Sequence, residues 1–178
     1  HDPSYKAFPE RMAQVGLTNS QSKMVLNEEK MRFAMITQHV YSAMDSINVC
    51  QFVFGPAWQL YDTNQLIETL NAVTGWDADM QEVLEVGERR ENMMRAFNAR
   101  EGIGRESDTL PRKMFDQPLK GGRSDGLALD KAEWDAALDD YYRLCEWDTK
   151  TGFPSRNKLE ALGLGWVVAE NEKLAQAV

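Results

Sequence analysis

The spacing of apolar and polar residues along the chain follows a helical period in several separate stretches. The clearest begins at Asn27, a residue type that caps helices, which is followed by the acidic Glu28 and Glu29. Apolar residues then recur three or four positions apart, at Ile36, Val40, Ala43, Met44 and Ile47. Asn48 tolerates the left-handed conformation that closes helices, so we predict that the helix ends near it. Cys50 would then lie on a turn just beyond this helix.

Further helices are predicted by the same period and by capping signals. The patterns Asp79–Glu82 and Asp130–Glu133 are typical of capping boxes, and they open helices running to about residues 100 and 146. Gly87 lies on the apolar face of the longer one, which favours close approach of a neighbouring helix. Shorter helices are expected within residues 8–16, 63–72, 155–162 and 167–177. No segment shows strand alternation, so the predicted fold class is all-α, an orthogonal multi-helix array with long irregular loops.

The longest of these loops is predicted over residues 103–128, which contain two prolines and four glycines. A loop of this length is usually functional or packed against another surface. The chain of 178 residues fits a single helical domain over residues 1–178. Within it we expect a less regular part at 1–27, a core at 28–165 and a terminal helix or tail at 166–178.

Composition narrows the possible functions. The chain has 20 basic and 28 acidic residues, a net charge of −8, and no run of five or more Lys or Arg residues, so nucleic-acid binding is not expected. The acidic surface disfavours anionic membranes, and no apolar run approaches the roughly 18–20 residues of a membrane span. From the first residues we expect no signal peptide. Two cysteines, far apart, suit a reducing cytoplasm, which is the expected location.

Three separated stretches of the chain match the motifs of a known family. The first, "DSINVCQF" at residues 45–52, is close to D-S-x-x-x-C-x-F, and the second, "GERRENMMRAFNAREG" at 87–102, matches G-E-R-x-x-N-x-x-R-x-F-N-x-R-E-G. The third, at residues 140–164, matches Y-Y-x-x-x-G-W-D with a G-x-P-x-x-x-K-L-x-x-L-G-L tail. With all three in order, the chain resembles the C-terminal helical domain of the tungsten-containing aldehyde:ferredoxin oxidoreductases. The family usually has Gly where this chain has Asn48 and Glu146.

The resemblance implies an enzyme that oxidises aldehydes to carboxylic acids and passes electrons through a 4Fe–4S cluster to ferredoxin. A tungsten (or molybdenum) bis-pterin centre would carry the chemistry, and a homodimer is possible. Cys50 falls on the fourth cluster ligand, and Asp45 falls on the acid that contacts the pterin. The backbone around Val49 would donate to pterin or sulfide. His1 lies 44 positions before Asp45, roughly where the family has an active-site histidine, and is a candidate catalytic residue or a tag remnant.

The number of cysteine ligands indicates that this chain is part of a larger enzyme. Two cysteines cannot form a four-cysteine site, and no C-x-x-C motif is present. The first residue is His1 rather than Met, so we expect a processed, tagged or cut chain. Alone it should bind no cofactor and be inactive, with the remaining domains of the enzyme as its partners. The alternative is a non-catalytic helical interaction or scaffold domain that kept the fold without the cofactors.

Several other polar and sulfur-containing residues are given structural interpretations. Cys145 lies on the apolar stripe of its helix, with Trp134, Ala137, Leu138 and Tyr141, and is expected in the core. His39 is expected at the surface or the edge of the core. Arg95, Asn98, Arg100 and Glu101 are expected to form a buried polar network that fixes the loop at 103–116. Asp108 and Asp148 are interpreted as loop and turn acids. A methionine-rich face is interpreted as core packing or an inter-domain surface; its members are Met80, Met93 and Met94.

Overall fold

The computed structural model describes residues 7–22, 24–57 and 59–176, and within these ranges the only extended pairings are isolated bridges rather than strands. The all-α prediction is therefore confirmed. The helices of the described residues are α1 (Ala7–Ala13), α2 (Glu28–Ser46), α3 (Thr63–Thr74), α4 (Met80–Arg100), α5 (Lys113–Asp116), α6 (Lys131–Leu144), α7 (Arg156–Ala161) and α8 (Gly165–Gln176).

Side-chain caps explain where most of these helices begin. Asn27 and Ser155 accept from the backbone N–H groups of Lys30 and Lys158. Asp79 forms the predicted reciprocal capping box with Glu82. A second capping box, between Asp62 and Gln65 at the start of α3, was not predicted. Asp130 accepts from Glu133 N, which confirms the predicted start of α6.

Two helices end on non-glycine residues with positive φ. Asn48 has φ +59° after α2, and Glu146 has φ +58° after α6. These are the two positions where the resembling family usually has glycine, and glycine adopts this conformation without a steric penalty. The backbone shape is thus kept at both turns although the side chains differ.

The central packing contact is between α2 and α4, and α2 also packs against α6. Gly87 makes this contact possible, because a Cβ atom built there would lie 1.8 Å from the carbonyl oxygen of His39. The predicted close approach is confirmed. One buried cluster lies around α2, and a second lies under α7 and α8. Their members are Val15, Val40, Met44 and Leu66 in the first, and Ala96, Leu159, Leu162, Leu164 and Val167 in the second.

Two predictions about α6 and the long loop need correction. Tyr142 is the fully buried tyrosine of α6, whereas Tyr141, Trp134 and Leu138 are half-buried. The loop at 103–128 is not wholly irregular, since it contains α5 and two short 3₁₀ turns. Within the described residues, no helix is both long and apolar enough to cross a membrane.

Candidate functional site

The turn after α2 holds Cys50 at the surface in a fixed backbone. The N–H of Val49 donates to Met44 O at 3.1 Å, and the Cys50 carbonyl accepts from the N–H groups of Val53 and Phe54 at 3.0 and 3.1 Å. These bonds fix the backbone on both sides of the cysteine. Cys50 is a free, exposed thiol. The structure therefore places Cys50 where the sequence predicted, on a turn beyond the helix.

Asp45 lies on the last turn of α2, and its two carboxylate oxygens have different partners. Gln51 Nε2 donates to Oδ1 at 2.7 Å, and Arg90 Nη2 lies 3.4 Å from Oδ2. The side chain remains 47% exposed. A carboxylate oxygen accepts more than one hydrogen bond, so Asp45 keeps acceptor capacity toward the open surface. Gln51 directly follows Cys50, which links the two predicted cofactor contacts through one side chain.

The Val49 amide is engaged within the chain. Its own N–H is engaged with Met44 O, and its side chain packs against the cluster around Val40 and Met44. A backbone donor to a cofactor at this turn would therefore have to come from a neighbouring amide. His1 lies outside the described residues.

A cavity of about 660 Å³ opens between α2, α4, α6 and the loop around residue 108. Asp45 and Arg90 line it, together with the buried carboxylate of Glu91. Five aromatic residues also line it, namely Tyr41, Trp134, Tyr141, Tyr142 and Trp147. The cavity therefore combines charged groups with flat apolar surfaces, as small-molecule sites do.

His39 and Glu91 face one another across the α2–α4 contact, which the sequence did not predict. Both are buried, so the prediction that His39 lies at the surface or core edge is wrong. His39 Nε2 lies 3.6 Å from Glu91 Oε2, a separation that would permit an ion pair. Burial nevertheless lowers the pKa of His39 and raises the pKa of Glu91 to about 8, which is opposite to what an ion pair produces. Desolvation therefore outweighs the attraction between opposite charges, and both side chains are neutral at pH 7.

The second motif forms only part of the predicted buried network. Arg95 donates to Gly152 O at 2.7 Å, pairs with both oxygens of Asp108, and lies over the Trp147 ring. The Tyr142 hydroxyl donates to the same Asp108 carboxylate. Arg95 therefore ties the long loop to α4, and Tyr142 ties it to α6. Arg100 and Glu101, in contrast, are exposed and pair with one another. Asp108 is more than a loop acid, because it is the partner of this buried arginine.

The remaining predictions have clear outcomes. Cys145 is 3% exposed, and burial raises the pKa of its thiol to about 12, so its core role is confirmed. Asp148 accepts from the backbone of Lys150 and Thr151, which confirms a turn acid. Met93 and Met94 are exposed beside Phe97 and do not pack in the core. Among the described residues, no group of three or more His, Cys, Asp or Glu side chains is placed to hold a metal ion.

Comparison with known proteins decides the family. Residues 1–164 match a family model described as "Aldehyde ferredoxin oxidoreductase, domains 2 & 3". The chain belongs to the aldehyde ferredoxin oxidoreductase family. Among its relatives are the tungsten-containing aldehyde ferredoxin oxidoreductases of Pyrococcus abyssi, Pyrococcus furiosus and Thermococcus kodakarensis, each 31% identical over 141 residues. The match covers 78% of this chain but only 22% of the length of each relative. The chain thus corresponds to a minor part of these aldehyde ferredoxin oxidoreductases.

Proposed function

We propose that this chain is the part of an aldehyde-oxidising enzyme that supplies one thiolate and one carboxylate to its cofactors. The enzyme would convert an aldehyde to a carboxylic acid and pass the electrons to ferredoxin, as the names of the relatives suggest. The observation that carries the proposal is the pairing of an exposed carboxylate, Asp45, with an exposed thiol, Cys50, at one helix end.

Cys50 fits the role of a single ligand to a 4Fe–4S cluster. Iron–sulfur clusters are held by thiolates, and a ligand must reach the surface that faces the cluster. Cys50 does so on a backbone fixed by hydrogen bonds on both sides. Cys145, the other cysteine, is buried and could not reach a cluster outside the domain. The other ligands would come from the rest of the enzyme.

Asp45 fits the role of an acceptor for pterin N–H groups. A carboxylate at a helix C-terminus faces the negative end of the helix dipole, so it requires donors. Gln51 donates one hydrogen bond, Arg90 places a positive charge 3.4 Å from Oδ2, and the exposed side of the carboxylate can accept more bonds. When bound, a tungsten (or molybdenum) bis-pterin would supply the two-electron oxidation of the aldehyde. Asp45 would position that group.

Exposed apolar side chains favour the interpretation that the remaining domains of the same enzyme are the partners of this chain. Phe52 is 91% exposed, two residues after Cys50. A second exposed apolar group lines a cavity of about 580 Å³ between α4 and α8, and its main members are Met93, Met94, Phe97 and Trp166. Contiguous apolar surface of this kind typically marks an interface.

The test uses the full-length protein that contains this chain. We expect Cys50→Ser to remove a cluster's share of the iron and its broad visible absorbance, whereas Cys145→Ser, a core change, should retain both. Asp45→Asn should lower the tungsten or molybdenum content, whereas Glu101→Gln, an acid at the end of α4, should not. Unchanged iron in the Cys50 variant would refute the ligand assignment. A full-length protein without iron or pterin metal would favour the scaffold alternative.

A further inference from the structure

Two phenylalanine rings close to the end of α2 have opposite surroundings. Phe54 is half-buried, packs against the buried cluster around α2 and lies 5.5 Å from the centre of the Tyr61 ring. Phe52, two residues earlier, is 91% exposed. The domain therefore uses the large apolar surface of one ring for its own core and leaves the other ring available for contact with a group outside the domain.

The backbone places Phe52 next to Cys50. The Cys50 carbonyl accepts from the N–H groups of Val53 and Phe54 at 3.0 and 3.1 Å, so Phe52 lies at the apex of a closed turn. The Cα atoms of Cys50 and Phe52 are within about 7 Å of one another, which is the longest span of two residues. Gln51, between them, is directed back toward α2 by its hydrogen bonds. Since thiol and ring are both exposed, a group that reaches Cys50 from outside also comes close to Phe52.

A cluster held by Cys50 would lie at a boundary between two parts of the enzyme, because its other ligands would come from outside this chain. Water that enters such a boundary stabilises the reduced cluster, since reduction by one electron adds a negative charge to it. The apolar side chains around a metal site limit this access of water and thereby affect the reduction potential. Beside Cys50, the exposed Asn48 and the Gln51 amide are polar, whereas Phe52 offers an apolar ring.

We propose that the Phe52 ring lies against the 4Fe–4S cluster bound by Cys50, excludes water from that edge of the cluster and thereby keeps its reduction potential low. The proposal rests on the proposed function, which supplies the cluster. It gives Phe52 a role that differs from an interface contact alone, because such a contact would hold two domains together without changing the reduction potential of the cluster.

The first experiment measures the reduction potential of the cluster in full-length enzymes by a redox titration followed by electron paramagnetic resonance. Phe52→Ala should raise the potential, because water replaces the ring, and Phe52→Leu, which keeps apolar bulk, should raise it less. Phe97→Ala removes another exposed ring, on α4, and should leave the potential unchanged. A Phe52→Ala enzyme with full iron and an unchanged potential overturns the proposal, as does an equal shift in Phe97→Ala.

The second experiment detects the proximity of ring and cluster without removing the ring. A fluorine atom is introduced on the ring of Phe52 in the otherwise unmodified full-length enzyme, and its magnetic resonance signal is recorded before and after reduction with dithionite. The reduced cluster is paramagnetic, so the signal should broaden on reduction. The same label on Phe33, about 20 Å back along α2 from its last turn, should broaden far less.

The two experiments together separate this proposal from the proposed function. If Phe52→Ala does not fold or does not retain iron, a label on Phe52 that is unaffected by reduction still overturns the proposal. An iron-containing enzyme in which neither the potential nor the label responds at Phe52 refutes this inference alone. An unmodified enzyme without iron, or a Cys50→Ser enzyme with unchanged iron, refutes the proposed function as well.

Discussion

Gln51 Nε2 donates to Asp45 Oδ1 at 2.7 Å, and the same nitrogen lies 3.3 Å from the carbonyl oxygen of Tyr41. Gln51 is the residue directly after Cys50, so the side chain that orients the carboxylate is fixed by the turn that presents the thiol. The orientation of the proposed pterin contact and the position of the proposed cluster ligand are thereby coupled.

Replacing Gln51 by Leu should weaken the hold on the pterin without removing the cluster. The change deletes one hydrogen-bond donor to the Asp45 carboxylate, and such a bond is worth roughly 1–3 kcal/mol. The pterin should therefore bind about tenfold more weakly. Elemental analysis of the full-length protein should show less tungsten or molybdenum and unchanged iron. Gln81→Leu, an exposed position on α4, is the control. Equal metal contents in the two variants would contradict the coupling.

The two cysteines should differ strongly in reactivity. In the native 178-residue chain, iodoacetamide should modify one thiol, Cys50, because it is exposed. Cys145 is 3% exposed and burial raises its thiol pKa to about 12, so it carries almost no thiolate at pH 8. Mass spectrometry should find one label in buffer and two in denaturant. Rapid labelling of Cys145 in the native chain would show that the region around α6 is open.

The sequence predicted local features well because their signals lie within a few residues. Asn27, Asp79 and Asp130 cap helices as predicted, and Gly87 in an apolar face indicated a close helix contact. The glycine that the family usually has at the position of Asn48 is also explained, since Asn48 has a positive φ, which glycine adopts readily. Such features depend on backbone conformation that neighbouring residues already determine.

The contacts that define the cavity could not be predicted in the same way. His39 and Glu91 lie on different helices, and their meeting depends on how α2 rotates against α4. Tyr141 and Tyr142 are adjacent, about 100° apart on a helix, so periodicity alone did not decide which one is buried. Asp108 reaches Arg95 only through the path of an irregular loop. Each of these depends on tertiary packing, for which the sequence carries no local signal.

Glu91 should make the stability of the chain depend on pH. Its pKa is raised from 4.5 to about 8, so the folded chain holds a proton that the unfolded chain has lost between these values. The stabilisation is therefore complete below pH 4.5, falls by about 1.4 kcal/mol per pH unit, and is lost as pH rises through about 8.

Urea titrations of the chain at a series of pH values measure this dependence. The free energy of unfolding of Glu91→Gln should approach and then exceed that of the unmodified chain as the pH rises toward 8, because the amide stays neutral. Glu101→Gln, an exposed carboxylate at the end of the same helix, provides the comparison. A constant difference between Glu91→Gln and the unmodified chain from pH 5 to 8 would contradict a buried, protonated carboxyl.

Gly87→Ala should separate α2 from α4. The new Cβ would lie 1.8 Å from His39 O and 3.0 Å from Ala43 N, and both are backbone atoms that cannot rotate away. We expect a loss of about 3 kcal/mol, since the backbone clash outweighs the gain of up to about 1 kcal/mol in helix propensity. Gly165→Ala, at the start of α8 with its nearest atom 3.7 Å away, should be neutral or slightly stabilising. Urea unfolding midpoints that fall equally in both variants would contradict the close contact.

Arg95→Lys should destabilise the chain although the charge is kept. Arg95 pairs with both oxygens of Asp108, donates from Nε to Gly152 O and lies over the Trp147 ring, and one ammonium group cannot make all these contacts. We expect a loss of about 3 kcal/mol, because the side chain is buried and leaves partners unsatisfied. Arg112→Lys, whose side chain is 95% exposed, should change stability by less than about 0.5 kcal/mol.

The long loop should also be cleaved faster by protease in the Arg95 variant, because Arg95 holds Asp108 in place. Equal cleavage rates in the two variants would mean that the loop is fixed by its other contacts, such as the bond from Arg105 N to Thr151 O.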